Sequence, residues 1–437
     1  MEWWWSLSLL LGTTLALVFA GMPVALAFLL TDVVGALLFF GGLPGLKQLA
    51  SNLEESLTTF SLLPVPLFIL MGELMFHSQM GAKAIDAVEA WIGRVPGRLA
   101  LVSVFSGTLF STVSGSSVAT TAFLGSQLLP EMERRGYSRV LSMGSIMGSG
   151  GLAMMIPPSA IAILLAALAN VSAGGLLIAG ILPGILMAIC YVVYIVGITT
   201  LKPELAPPYA PQPVPLAEKL RASLTQVAPL AVIIFLVVGL IFFGVATPSE
   251  SAALGALGTA ALAAVMGRMN WDVMKRSLMG ATRLSAMMFL IIAASMLFSQ
   301  ILAFSGSTAG LMELTGGLDL HPLVIVLIMQ LILLVLGSFM DNLSMVMIAM
   351  PIFLPLIQGM QLDPMWFCLL IMINMDLANL TPPFGLLLFV MKGVAPVGTT
   401  MRQIYLAGLP FVACDLIVMG AVMLFPSLAL WLPSLMR

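Results

Sequence analysis

Oxygen-bearing side chains gather at two kinds of place in an otherwise apolar chain. One is the pair of stretches "STVSGSSVAT" (111–120) and "LGSFMDNLSM" (336–345). The other is a pair of double prolines, Pro157-Pro158 in "GSGGLAMMIPPS" and Pro382-Pro383 in "INMDLANLTPPF". Adjacent prolines remove backbone donors and clash with the preceding turn, so a helix breaks there. A helix broken at membrane depth leaves free N–H groups at one end and free carbonyls at the other. The first favours an anion and the second a cation. Hydroxyls, amide oxygens, carbonyls and a carboxylate are the ligands a hard cation takes. Ser114, Gly115, Ser116 and Ser117, with the carbonyls of Gly150 and Gly151, can form one oxygen shell for Na⁺. Asp341, Asn342, Asn379 and Thr381 can form a second; Asp376 either joins it or caps a half-helix. A serine cluster also suits close helix packing, but this one interrupts an apolar hairpin and has a counterpart in the other half.

The elements that position these residues must lie in a bilayer. Of 437 residues, 60% are hydrophobic and 8% charged, where soluble domains carry about 25% charge. Apolar runs of about 20 residues, each long enough to span, recur throughout. An all-α polytopic membrane protein is predicted, with no basic patch for nucleic acid. Cys190, Cys368 and Cys414 share no close spacing, which argues against a metal or disulfide framework. The start "MEWWWSLSLL" lacks the cationic opening of a signal peptide; Trp3, Trp4 and Trp5 suit an interfacial anchor.

Full spans are predicted near 6–21, 23–42, 62–78, 139–169, 176–200, 227–246, 248–267, 285–303, 365–392 and 403–431. Two regions, 96–131 and 322–357, are interrupted at their centres. Each half is about 16 residues, or roughly 24 Å of helix, short of a hydrocarbon core of ~30 Å. Re-entrant helical hairpins fit better than bent spans. Residues 202–224, polar and proline-rich, read as a connector between a first half (1–201) and a second (225–437).

Three proline pairs share one offset: 157 and 382, 130 and 355, 23 and 248, each 225 apart. Such a register predicts an internal repeat. Each half holds five spans plus one hairpin, with scaffold spans in 6–78 and 227–303, and broken helices in 139–169 and 365–392. Five crossings are odd, so the second half is inverted. With both termini outside, only Lys47 and Arg437 of the 17 basic residues are left outside, and Lys83, Arg94, Arg98, Arg134, Arg135, Arg139 and the rest lie inside, as the positive-inside rule asks. The connector is then cytoplasmic.

Other polar residues have plainer readings. Glu73, Asp32 and Asp415 suit structural hydrogen bonds between helices, the latter two alternatively a contact with another subunit. Glu250, after Pro248, suits a helix cap. His77, His321, Lys392 and Arg402 sit at span ends. The 33 methionines are lipid-facing or filler. Segments 44–60 and 268–283 read as separate interfacial helices.

"FSTVSGSSVATTAFLGSQLLPEM", "MMIPPS", "SFMDNLSMVMIAMPIFLPL" and "NLTPPFGLLLFVMKGVAP" resemble the DctM-like large membrane subunit of tripartite ATP-independent periplasmic (TRAP) transporters, over nearly the whole chain. The resemblance implies a Na⁺-driven importer with two or more coupling ions and an elevator-type division into scaffold and transport domains. It implies an inner-membrane location, a small four-helix DctQ-like membrane subunit and a periplasmic substrate-binding protein. The implied substrate is a small organic acid: a dicarboxylate, sugar acid or keto acid, with ectoines among the exceptions. It is expected between the tips, against Ser117, Thr120, Pro158, Ser159, Ser344 and Pro383. Some sialic-acid members carry an acidic residue near the position of Thr120, which this chain lacks.

Two alternatives stand beside that reading. A self-sufficient Na⁺/carboxylate symporter would need no partners. An intramembrane aspartyl enzyme would need Asp341 and Asp376 brought together; the chain has no HExxH or GxGD-type pair.

Overall fold

The structure, a computed structural model, describes residues 2–80, 84–208 and 214–436. Lys83 and Arg437, two of the charges that bear on topology, and residues 209–213 of the connector lie outside the described residues.

Among the described residues the chain is helical throughout, with no strand. Six helices are long and apolar enough to cross a membrane: Ala173–Leu201, Leu216–Phe242, Trp271–Phe304, Pro322–Phe339, Asn342–Gly359 and Met401–Leu424. Shorter apolar helices include Trp3–Phe19, Val24–Phe39, Pro64–His77 and Pro364–Leu380.

Two helix pairs fold back on themselves. Arg98–Ser114 returns as Ser117–Arg134, and Pro322–Phe339 returns as Asn342–Gly359. Gly115 makes the first link in the left-handed region (φ 60°), where a Cβ is costly. Met340 and Asp341 make the second in extended backbone. The arms run to 17 and 18 residues, about 27 Å, rather than the 16 expected. Length therefore does not separate them from spans; the two-residue links do. The second helix of each pair starts at 117 or 342 and ends at 134 or 359, a separation of 225 at both ends (342 − 117, 359 − 134).

Each double proline stops a helix. Arg139–Gly151 gives way to a tight turn at Leu152–Met154, and a new helix begins at Ala160. Pro364–Leu380 gives way at Thr381, and a new helix begins at Leu386. Both Pro-Pro peptides are cis. The first broken helix packs against both arms of the first hairpin and against Met401–Leu424. "GSIMG" makes this possible: a Cβ at Gly144 would strike the Ala407 carbonyl, and one at Gly148 the Phe411 ring. Small residues four apart are how membrane helices approach closely.

Several expectations need correction. Segment 268–283 is not a separate helix. It continues into the next span as one 34-residue helix, Trp271–Phe304, capped by the Asn270 side chain, which accepts from the Val273 N–H at 2.8 Å. Its counterpart, Leu43–Leu57, does stop, at a turn before Pro64; no proline interrupts 271–304. The connector is shorter than predicted, because helix resumes at Leu216 and runs to Phe242. Its start is also anchored: the Ser138 N–H donates to the Leu205 carbonyl at 2.8 Å. The last predicted span is two helices, Met401–Leu424 and Ser427–Ser434, parted by Pro426. Helices Ala84–Trp91 and Ser307–Gly317 lie between the predicted spans and hairpins, in stretches given no element from the sequence.

Candidate functional site

Local chemistry builds the first tip. Ser116 is the N-cap of its helix, its hydroxyl accepting from the Ala119 N–H at 3.2 Å, the usual way a serine satisfies an orphan donor. Ser114 and Thr120 hydroxyls meet at 3.0 Å, and Thr120 donates to the Ser116 carbonyl at 2.9 Å. Ser111 donates to the Ser149 carbonyl at 3.3 Å, tying the tip to the first broken helix. Gly150 lets that helix come within reach of Thr121: a Cβ there would strike its hydroxyl and crowd the Ser117 carbonyl at 3.2 Å. The Ser117 and Thr121 hydroxyls are buried, and neither has a hydrogen-bond partner. Buried polar groups are nearly always bonded, so these two hydroxyls, one helical turn apart in sequence and that of Thr121 against Gly150, have unused ligand capacity.

The second tip is capped in the same way. Asp341 accepts from the Leu343 and Ser344 N–H groups at 3.1 and 3.2 Å, and from the Ser344 hydroxyl. Its neighbour Asn342 is buried, donates weakly to the Met154 sulfur at 3.7 Å, and has a carbonyl oxygen without a partner. Asn379 is also buried, and Thr381 ends its helix with the hydroxyl returned to the Leu377 carbonyl at 2.6 Å. Gly385 sits tight beneath the carbonyls of Asn379 and Thr381, leaving no room for a Cβ.

Asp376 is placed differently from its sequence neighbours. Its carboxylate abuts Gly151 of the other broken segment, where a Cβ would overlap it. Tyr191 and Asp415 adjoin it, and the Tyr191 hydroxyl donates to Asp415. Asp376 and Asp415 are fully buried, and both Asp376 oxygens lack a geometric hydrogen-bond partner. Asp376 therefore belongs to a buried Asp–Tyr–Asp cluster, whereas Asp341 is exposed at its tip.

The two tips share a cavity of about 370 Å³. Ser114, Gly115 and Ser116 enter it from the first tip, Leu343 from the second, and Pro158 from the first broken segment. Of the residues expected to face a substrate, Ser159 caps the helix after the first break, accepting from the Ala162 N–H at 3.3 Å. Ser344 is held by Asp341. Pro383 is exposed, its carbonyl accepting from the Tyr405 hydroxyl at 3.1 Å. Among the described residues, no group of three His, Cys, Asp or Glu is placed to hold a metal.

Sequence reasoning passed over Thr121 and Tyr191, and it read Glu73 only as a structural hydrogen bond between helices. Thr121 was findable, because it lies four residues after Ser117 and shares its helix face. Glu73 lines the tip cavity and its Oε2 lies 3.2 Å from Nε2 of His77, a placement set by how Pro64–His77 crosses Trp271–Phe304. Tyr191, inside an apolar run, gave no signal. Asp32, read as a hydrogen-bonding residue, is fully buried with neither oxygen bonded. Glu250 does cap its helix, in a reciprocal box with Thr247.

Apolar helices long enough to span a bilayer, two helix breaks and two tips that meet on one cavity are the features of a multi-pass membrane transporter. The fold agrees with the Alcanivorax borkumensis YdaH transporter structure at a TM-score of 0.67, with 16% identity, covering 97% of this chain and 100% of that one. Residues 11–428 match the family described as "Tripartite ATP-independent periplasmic transporter, DctM component", and the chain belongs to that family. It is 32% identical over 391 residues to a Pseudomonas aeruginosa C4-dicarboxylate TRAP transporter large permease protein, covering 89% of this chain and 90% of the relative. It is 29% identical over 429 residues to a Halomonas elongata ectoine TRAP transporter large permease protein, covering 98% and 99%. A permease of this family carries solutes and is not an enzyme.

Proposed function

We propose that this chain is the large permease subunit of a Na⁺-coupled TRAP importer for small organic acids in a bacterial inner membrane. It works with a small four-helix membrane subunit and a periplasmic binding protein, and both its termini face the periplasm. The two halves are inverted copies. The hairpins and broken helices form a transport domain that slides, elevator-fashion, against a scaffold of the remaining spans.

Na⁺ is cargo here. At the first tip it is held by Ser116, Ser117 and the Gly150–Gly151 backbone, with Thr121 added by its geometry. At the second it is held around Asn342, Asn379 and Thr381, with Asp341 bracing the tip. Filling these shells orders the tips, and the acid binds between them against Ser114, Ser116 and Pro158. Inward sliding exposes both to a low-Na⁺ compartment, where ion loss loosens the tips and frees the acid.

The observation that carries this reading is the meeting of both tips on one cavity, with buried oxygens of Ser117, Thr121 and Asn342 in the same two tip helices that have no partner. The test is uptake into proteoliposomes holding the chain, the small subunit and the loaded binding protein. Accumulation driven by a Na⁺ gradient and lost when K⁺ replaces Na⁺ is expected. Accumulation by the chain alone would replace the tripartite reading with a self-sufficient symporter, and indifference to Na⁺ would remove the coupling.

A further inference from the structure

A second cleft, of about 660 Å³, adjoins the tip cavity, and Phe76 lines both. Glu73 of the tip cavity and His77 of the cleft are joined across that boundary at 3.2 Å. Phe110, Gln127 and Glu131 of the first hairpin form one wall, Glu89 another, and Arg276 of the 34-residue helix a third.

The charges of this cleft are not evenly matched. Glu89 is paired with Arg98 at 3.3 Å. Glu131 is paired with Arg134 at 2.6 Å and Arg135 at 2.5 Å. Both acids thus bring their own cations. Arg276 is exposed, and among the described residues it forms no ion pair or hydrogen bond. Its guanidinium is the one uncompensated basic charge among the described residues lining the cleft. The tip cavity, by contrast, has no Lys or Arg among the described residues of its lining.

We infer that this cleft is a second anion site, in which Arg276 receives the substrate carboxylate after it leaves the tips, with the Gln127 amide on another wall of the same cleft. Its identity as a release station rests on the importer reading above. An arginine fork matches a carboxylate in two parallel hydrogen bonds. Being open to water, the site attracts the acid without trapping it, since screening weakens the pair. The unbroken helix Trp271–Phe304 is what sets Arg276 there.

The test needs no knowledge of the substrate. In the full-length chain carrying Cys190→Ala, Gln127→Cys is treated with negatively and positively charged thiosulfonate reagents, each rate normalised to a small free thiol. The anionic reagent is expected to be favoured by about threefold or more, with the preference lost in Arg276→Gln and kept in Arg276→Lys. An equal preference with and without Arg276, or an introduced thiol that neither reagent reaches, overturns the site. In the reconstituted tripartite system, Arg276→Gln should lower maximal uptake about tenfold, leave the half-saturating concentration of loaded binding protein unchanged, and be rescued by Arg276→Lys. Charge preference at the introduced thiol in a chain that never transports supports the anion site and overturns only the importer reading. Normal Na⁺-driven uptake in Arg276→Gln overturns the release role.

Discussion

Ser116 and Asp341 stand 225 residues apart and perform the same local task. Ser116 caps one tip helix through the Ala119 N–H, and Asp341 caps the other through the Ser344 N–H, each bond 3.2 Å long. The donors are themselves 225 apart (344 − 119). The two tips are one design with a hydroxyl in one copy and a carboxylate in the other. That difference gives the second tip a fixed negative charge, which the first lacks.

Asp341→Ala removes both the cap and this charge. Na⁺-dependent uptake in proteoliposomes should fall about tenfold or more, while loss of a cap alone costs about 1 kcal/mol of stability. Asp341→Asn keeps the cap geometry and separates the two effects. Unaltered Na⁺ dependence in both variants would refute a role for the charge.

Thr121→Val and Ser117→Ala delete hydroxyls that hold no hydrogen bond in the protein. Their thermal stability in Na⁺-free detergent should stay within about 1.5 kcal/mol of the parent, the range of near-isosteric buried swaps. The Na⁺ concentration for half-maximal uptake should rise about five- to tenfold, as expected when one ligand oxygen is lost. A large stability loss with unchanged Na⁺ response would make them packing residues.

Gly151→Ala drives a methyl into the Asp376 carboxylate. Overpacking of this kind costs about 1–3 kcal/mol, visible as a lower unfolding temperature. Combining it with Asp376→Ala should recover part of that loss, because the two residues are in contact. Strict additivity in the double variant would contradict the contact.

Tyr191→Phe removes the donor to Asp415 inside the buried cluster. Leaving the buried Asp415 carboxyl without this donor costs about 1–3 kcal/mol. The variant should unfold earlier in detergent, and Asp415→Asn should lose less, since an amide oxygen still accepts from the tyrosine. Equal stability of Tyr191→Phe and the parent would show the bond to be dispensable.

What the sequence by itself determined is local and periodic. Pro157-Pro158 and Pro382-Pro383 stop helices because proline has no N–H and a fixed φ, wherever the chain is folded. Ser116 and Asp341 cap helices because a short oxygen side chain reaches the next free N–H groups. The 225 offset is a property of the string, and helix boundaries at 117, 134, 342 and 359 follow it. The tertiary structure decided which of these breaks face each other. Asp376 lies three residues before Asn379, yet its carboxylate packs on Gly151 and joins Tyr191 and Asp415. Glu73 and His77 are ordinary span residues until the crossing with Trp271–Phe304 sets them between two cavities. Arg276 looked like one more interfacial cation, and only a helix that continues unbroken past Gly280 turns it into the cleft. The physical reason is range: caps and proline breaks act within a turn of helix, whereas a cavity is made by side chains hundreds of residues apart.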